Sequence, residues 1–166
     1  MGLSATLFGS ATGARVIAVD PLPSRRDLAG RLGAHTTVDP THTDPVEVIK
    51  ELTHGEGADA TLDCTGVPEA RVNTVKSARI FGRACFVGEG NTTTFDIGSD
   101  ITHKQLTIYG SWTMSTVGLA EVAGYVVDRD IPLREVFTHR WSLDQAPAAY
   151  ELFDAGQTGK MAIVWP

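Results

Sequence analysis

The chain alternates between short runs that are apolar at consecutive positions and longer stretches in which apolar residues recur every three or four. The first kind is clearest at Val16-Ile17-Ala18-Val19 and Cys85-Phe86-Val87. A strand covered by helices on both faces reads this way, because neither face meets water. The second kind is clearest over 44–54, where Val46, Ile49 and Leu52 share one face and Lys50 and Glu51 lie off it. The pattern predicts helices over 2–12, 24–32, 44–54, 68–80 and 115–129. It predicts strands over 15–19, 36–38, 59–64, 83–87 and 105–109. Ser24 reads as a helix N-cap, and Gly13 and Gly33 as helix stops. Leu119, Val122, Ala123, Val126 and Val127 form the expected buried stripe of the helix over 115–129. Strands and helices alternating at this spacing imply βαβ crossovers, hence an α/β fold with a doubly wound, mainly parallel sheet.

The alternation stops at Ile131-Pro132-Leu133. A strand over 138–142, a helix over 143–154 and a strand over 160–165 follow, and they are expected to form a separate layer.

Composition narrows the function classes. A length of 166 residues with 42% hydrophobic positions is enough for one domain with its own core. A net charge of -6 and the lack of a basic stripe argue against nucleic acid as a partner. No apolar run approaches the ~20 residues of a membrane span. The N-terminus lacks the basic start and apolar stretch of a signal peptide, so a cytoplasmic location is expected. Cys64 and Cys85 each sit in an apolar strand without CxxC or Cys/His spacing, so buried, reduced thiols are expected rather than a metal site.

Asp20 closes the first apolar strand and lies 18 positions after Gly2. In a dinucleotide-binding βαβ unit, an acid there accepts hydrogen bonds from the adenosine ribose hydroxyls, and its charge repels a 2′-phosphate. Arg25 and Arg26 stand nearby and belong to residue types that bind such a phosphate. The plain alternative is a strand-end acid in a solvated loop. Three further strand ends carry glycine: Cys64-Thr65-Gly66, Val87-Gly88-Glu89-Gly90 and Tyr109-Gly110-Ser111. Ligands of open α/β sheets lie outside the carboxyl ends of the strands, and glycine lets backbone approach them. Turn chemistry alone explains any one of the three; three at one edge shift the balance toward contact with a cofactor. The five histidines are scattered, with no HExxH, and no G-x-S-x-G elbow is present. Glu121 and Asp128 read as solvated, and Trp112, Trp141 and Trp165 as packing residues.

Five stretches carry a resemblance: ARVIAVDPLPSRRDLAGRLGAHTTVDP, GADATLDCTG, GRACFVGEG, KQLTIYGSW and GKMAIVWP. In order and spacing they resemble the C-terminal half of the zinc-type medium-chain dehydrogenases, closest to the alcohol, threonine and polyol group. The resemblance implies a Rossmann domain over 1–130 and a return segment over 131–166 that packs on a GroES-like catalytic domain. It implies cofactor-binding roles for Gly2, as the last glycine of a G-x-G-x-x-G turn, for Asp20 and Arg25 at the adenosine ribose, and for Gly66. It places Val87, Gly88, Glu89 and Tyr109 at the nicotinamide carboxamide. The cofactor so implied is NAD rather than NADP, and the substrate a small alcohol or carbonyl compound. Zinc belongs to the whole enzymes of the family, whose ligands lie ahead of the point matched by Met1, so no metal ligand is assigned here.

The resemblance also implies that a first strand, central in the sheet, is missing between the strands over 16–19 and 60–64. That would leave open edges and an incomplete phosphate turn. The chain is therefore expected to be catalytically inactive alone, and to associate with copies of itself through the sheet edge near 105–109 and 91–97. Two other readings stay open: a zinc-free quinone or enoyl reductase, to which Asp20 is ill suited, and a non-catalytic truncated product.

Overall fold

The computed structural model describes residues 1–156 and 158–165. Its helices are α1 (Gly2–Ala11), α2 (Pro23–Arg31), α3 (Pro45–Leu52), α4 (Pro68–Ser77), α5 (Thr116–Asp128) and α6 (Ala146–Asp154). Its strands are β1 (Ile17–Val19), β2 (Thr36–Val38), β3 (Ala58–Asp63), β4 (Ala78–Phe86), β5 (Thr107–Gly110), β6 (Phe137–Trp141) and β7 (Lys160–Ile163). Three helices open on proline, at Pro23, Pro45 and Pro68, where the fixed φ suits the first turn and the missing N–H has no partner to lose. Leu22, not Ser24, is the N-cap of α2. Asp44 caps α3 by accepting from the Val46 N–H at 2.8 Å.

The chain divides into two units. One combines Leu3–Thr37 with the stretch from Thr116 onward; the other is Val38–Ser115 together with Gly2. In the first unit β1 pairs with β2, and β6 pairs in parallel with β7 as a separate two-stranded sheet. Leu7, Leu28, Leu32, Ile131 and Val136 form its buried core, with Phe8, Tyr125 and Val126 packed against them. The predicted stripe on α5 is only partly realised. Val122 and Val126 are half-buried, but Leu119, Ala123 and Val127 are exposed. Val19, expected to be covered, is 40% exposed.

In the second unit β3, β4 and β5 form a parallel sheet in that order, with β3 at one edge and β5 at the other. Val46, Ile49, Val75, Ala78 and Ala84 are buried there. The helix predicted to reach residue 80 stops at Ser77 and β4 starts at Ala78. Lys104 explains the stop. Its Nζ donates to the carbonyls of Val75, Lys76 and Ala78 at 3.0, 2.7 and 2.9 Å, satisfying groups a helix end leaves open. Desolvation pushes the Lys104 ammonium below the usual lysine range, while Asp100 opposes that shift.

Two sequence expectations about packing are corrected. Trp112 and Trp165 lie mostly in solvent, and only Trp141 is half-buried. Cys64 and Cys85 are free thiols but half-buried rather than buried. Burial still raises the Cys64 thiol above its ordinary value.

Phe81 carries local strain. Its φ is 59°, a left-handed conformation that bulky side chains avoid. The register of β3 on β4 shifts here, from Ala58 opposite Ala78 to Ala60 opposite Arg83. The ring is 64% exposed, so little packing offsets the strain. Phe81→Gly is expected to stabilise the chain by about 1 kcal/mol, read as a higher midpoint in urea. An unchanged or lower midpoint would count against strain at this turn.

Candidate functional site

Parallel strands β3, β4 and β5 place their carboxyl ends on one edge, where α/β sheets bind ligands. The turn after β3 is built on Asp63, whose side chain is buried. Its Oδ1 accepts from the Thr65 N–H at 2.9 Å and the Thr65 hydroxyl at 2.7 Å. Its Oδ2 accepts from the Gly66 N–H at 3.1 Å. The Asp63 carbonyl accepts from the N–H groups of Val87 and Gly88, at 2.9 and 3.1 Å, which fastens the turn after β4 to the turn after β3.

Glycine makes that approach possible. Gly66 has φ 74°, and a Cβ on it would strike the Glu89 carbonyl. A Cβ on Gly88 would strike the Gly66 nitrogen and lie 2.6 Å from the Thr65 backbone. Beside the two turns is an open groove of about 670 Å³. Arg71, the loop Val87–Thr92 and Gly110–Trp112 line it. The Ser111 N–H donates to the Phe86 carbonyl at 3.0 Å, holding the wall after β5. A Cβ at Gly110 would meet nothing, so the groove has room on that side.

Gly66, Val87, Gly88 and Glu89 are thus brought together. Tyr109 is on β5 opposite Cys85 and about half exposed, but the groove lining begins one residue later, at Gly110. Gly2 is the first residue of α1, and a Cβ there would meet the Cys64 Cβ at 3.9 Å, an ordinary contact.

Asp20 and Arg25 belong to the other unit. Asp20 follows β1 and is half-buried. Its Oδ1 accepts from the Leu22 N–H at 2.9 Å, and its Oδ2 lies 3.9 Å from an Arg25 guanidinium nitrogen. Arg25 spends its donors elsewhere: Nη2 donates to the carbonyls of Gly156 at 2.5 Å and Thr158 at 3.0 Å, and Nε to Thr158 at 3.2 Å. Arg26 donates to the Asp20 carbonyl at 2.7 Å. Among the described residues no group of three histidines, cysteines or acids converges as a metal site.

A family model described as "Zinc-binding dehydrogenase" matches residues 1–128. The chain belongs to the zinc-binding dehydrogenase family. It is 37% identical over its whole length to the uncharacterized zinc-type alcohol dehydrogenase-like protein YphC of Escherichia coli, covering 47% of that protein. It is 33% identical over 99% of its length to an L-threonine 3-dehydrogenase of Symbiobacterium thermophilum, covering 48% of it. The crystal structure of benzyl alcohol dehydrogenase from Acinetobacter calcoaceticus superposes with a TM-score of 0.84 at 30% identity, over 99% of this chain and 47% of that one. The chain therefore spans about half the length of the curated relatives it matches.

Sequence reasoning missed Asp63, Arg71 and Asn91, which knit the two turns. Asp63 had a local signal, an acid at a strand end two residues before Thr65-Gly66. Arg71 had none, since its partners are 17 and 20 positions away.

Proposed function

We propose that this chain is the cofactor-binding part of an NAD-dependent alcohol or polyol dehydrogenase. The carrying observation is the glycine-joined pair of turns at the carboxyl ends of β3 and β4, with the groove beside them. Relatives named as threonine and benzyl alcohol dehydrogenases support a small alcohol as substrate of the whole enzyme. When bound, the nicotinamide supplies the hydride acceptor. The backbone of Val87–Glu89 holds the nicotinamide side, and Gly66 keeps the neighbouring turn close enough to form the floor. The Asp20 carboxylate takes the adenosine ribose diol.

Asp20 and Arg25 together favour NAD over NADP. The carboxylate repels a 2′-phosphate, and the guanidinium nearest to it is already committed to the Gly156 and Thr158 carbonyls. The chain alone is proposed to be inactive, because it spans about half the length of its curated relatives. The return segment after Ile131 is proposed to meet a catalytic domain, and the exposed edge of β5 to pair with a second copy. A cytoplasmic enzyme fits this reading, and among the described residues no helix is long and apolar enough to cross a membrane.

Fluorescence titration with NADH and NADPH tests the reading. Saturable NADH binding at least about tenfold tighter than NADPH is expected. Tighter NADPH binding would favour a zinc-free quinone or enoyl reductase, and no binding of either would end the cofactor assignment.

A further inference from the structure

The loop Val87–Asn91 forms much of the groove lining. The N–H groups of Val87 and Gly88 tie its start to the Asp63 carbonyl, and one side chain on α4 fixes the carbonyls that follow. Arg71 Nη2 donates to the Gly88 carbonyl at 2.7 Å, and Nη1 to the Asn91 carbonyl at 3.1 Å. Its Nε is buried without a hydrogen-bond partner and lies 3.6 Å from Asp63 Oδ2, an ion pair without a hydrogen bond. The Arg71 side chain is 14% exposed and that of Asp63 fully buried. Asn91 closes the circuit by donating from Nδ2 to the Gly66 carbonyl at 3.0 Å.

We propose that Arg71 is the positioning residue of this groove: its guanidinium sets the Gly88 and Asn91 carbonyls, and so the shape of the backbone that meets the nicotinamide half of the dinucleotide. This rests on the cofactor assignment above. The planar fork of arginine presents donors to two carbonyls in one fixed plane while its charge stays beside a carboxylate; glutamine lacks the charge and the reach, and lysine's compact ammonium lacks the planar fork. The Asp63 carboxylate fixes the fork's base, because a buried carboxylate without a cation is costly. Asp63 in turn is held by Thr65 and Gly66, so the two turns and α4 share one network.

The test compares two ligands on the chain as it stands. NADH carries the nicotinamide half, and ADP-ribose lacks it. Arg71→Gln is expected to weaken NADH binding about tenfold and leave ADP-ribose within twofold. A merely structural role would weaken both alike. Arg71→Lys keeps the charge beside Asp63 and is expected to show the same selective loss; it carries the test if R71Q is recovered unfolded. Equal weakening of both ligands, or unchanged NADH binding, overturns the positioning role. A wild-type chain that binds ADP-ribose and NADH with unaltered preference in both variants overturns this inference alone, whereas a wild-type chain that binds neither ligand overturns the cofactor assignment and this inference with it.

Discussion

Asp20→Ser is expected to weaken NADH binding about a hundredfold and to bring NADPH close to parity. A carboxylate accepting from two ribose hydroxyls makes charge-assisted hydrogen bonds worth about 1.5–3 kcal/mol each. Serine returns one neutral bond, which leaves a net loss of about 2.7 kcal/mol, or two orders of magnitude in affinity. NADPH gains at the same time, because the charge that repelled its 2′-phosphate is gone. The fold should tolerate the change. Serine still offers an oxygen to the Leu22 N–H, and Arg26 donates to the Asp20 backbone carbonyl, which the substitution leaves in place. Parallel titrations of wild type and D20S decide the matter. A preserved NADH-to-NADPH ratio would remove Asp20 from the adenosine site.

Gly88→Ala should unfold the site without touching any ligand. The new methyl would press into the Gly66 nitrogen and the Thr65 backbone. Backbone cannot swing aside as the end of a side chain can. The turn after β4 must therefore leave the Asp63 carbonyl and lose the Val87 and Gly88 hydrogen bonds. Overpacking of this kind costs about 3 kcal/mol, a large fraction of the stability of a small domain. Gly110→Ala is the matched control. It lies on the same groove, its Cβ would meet nothing, and its stability should stay within about 0.5 kcal/mol of wild type. Urea melts of the two variants separate a steric demand at 88 from a general sensitivity of the groove. Equal midpoints for G88A and wild type would refute the close approach.

The order of elements was legible because the local signals agreed. Consecutive apolar residues mark β1 and β4, and apolar residues every three or four positions mark α3, whereas the start of α2 was misplaced at Ser24. The end of α4 was not legible, because Lys104, 27 positions beyond Ser77, supplies the donor that stops it. The stripe on α5 failed for a related reason: apolar period says which face a helix would bury, and not how much of that face finds a neighbour. In the site, glycines at strand ends marked Gly66 and Gly88 from sequence alone. The side chains that lock them together were hidden, since Arg71 looks like any helix-surface arginine until its carbonyl partners are placed.

The division of the chain sets an order for its own assembly. The unit of residues 38–115 is continuous and can close as soon as β5 has been made. Leu7, Leu28 and Leu32 emerge early during synthesis, but their core is completed by Ile131 and Val136, more than ninety positions later in sequence than Leu32. Arg25 waits longer still, for carbonyls at 156 and 158. The earliest residues made are thus among the last to be buried, and the middle of the chain folds while its beginning is still exposed.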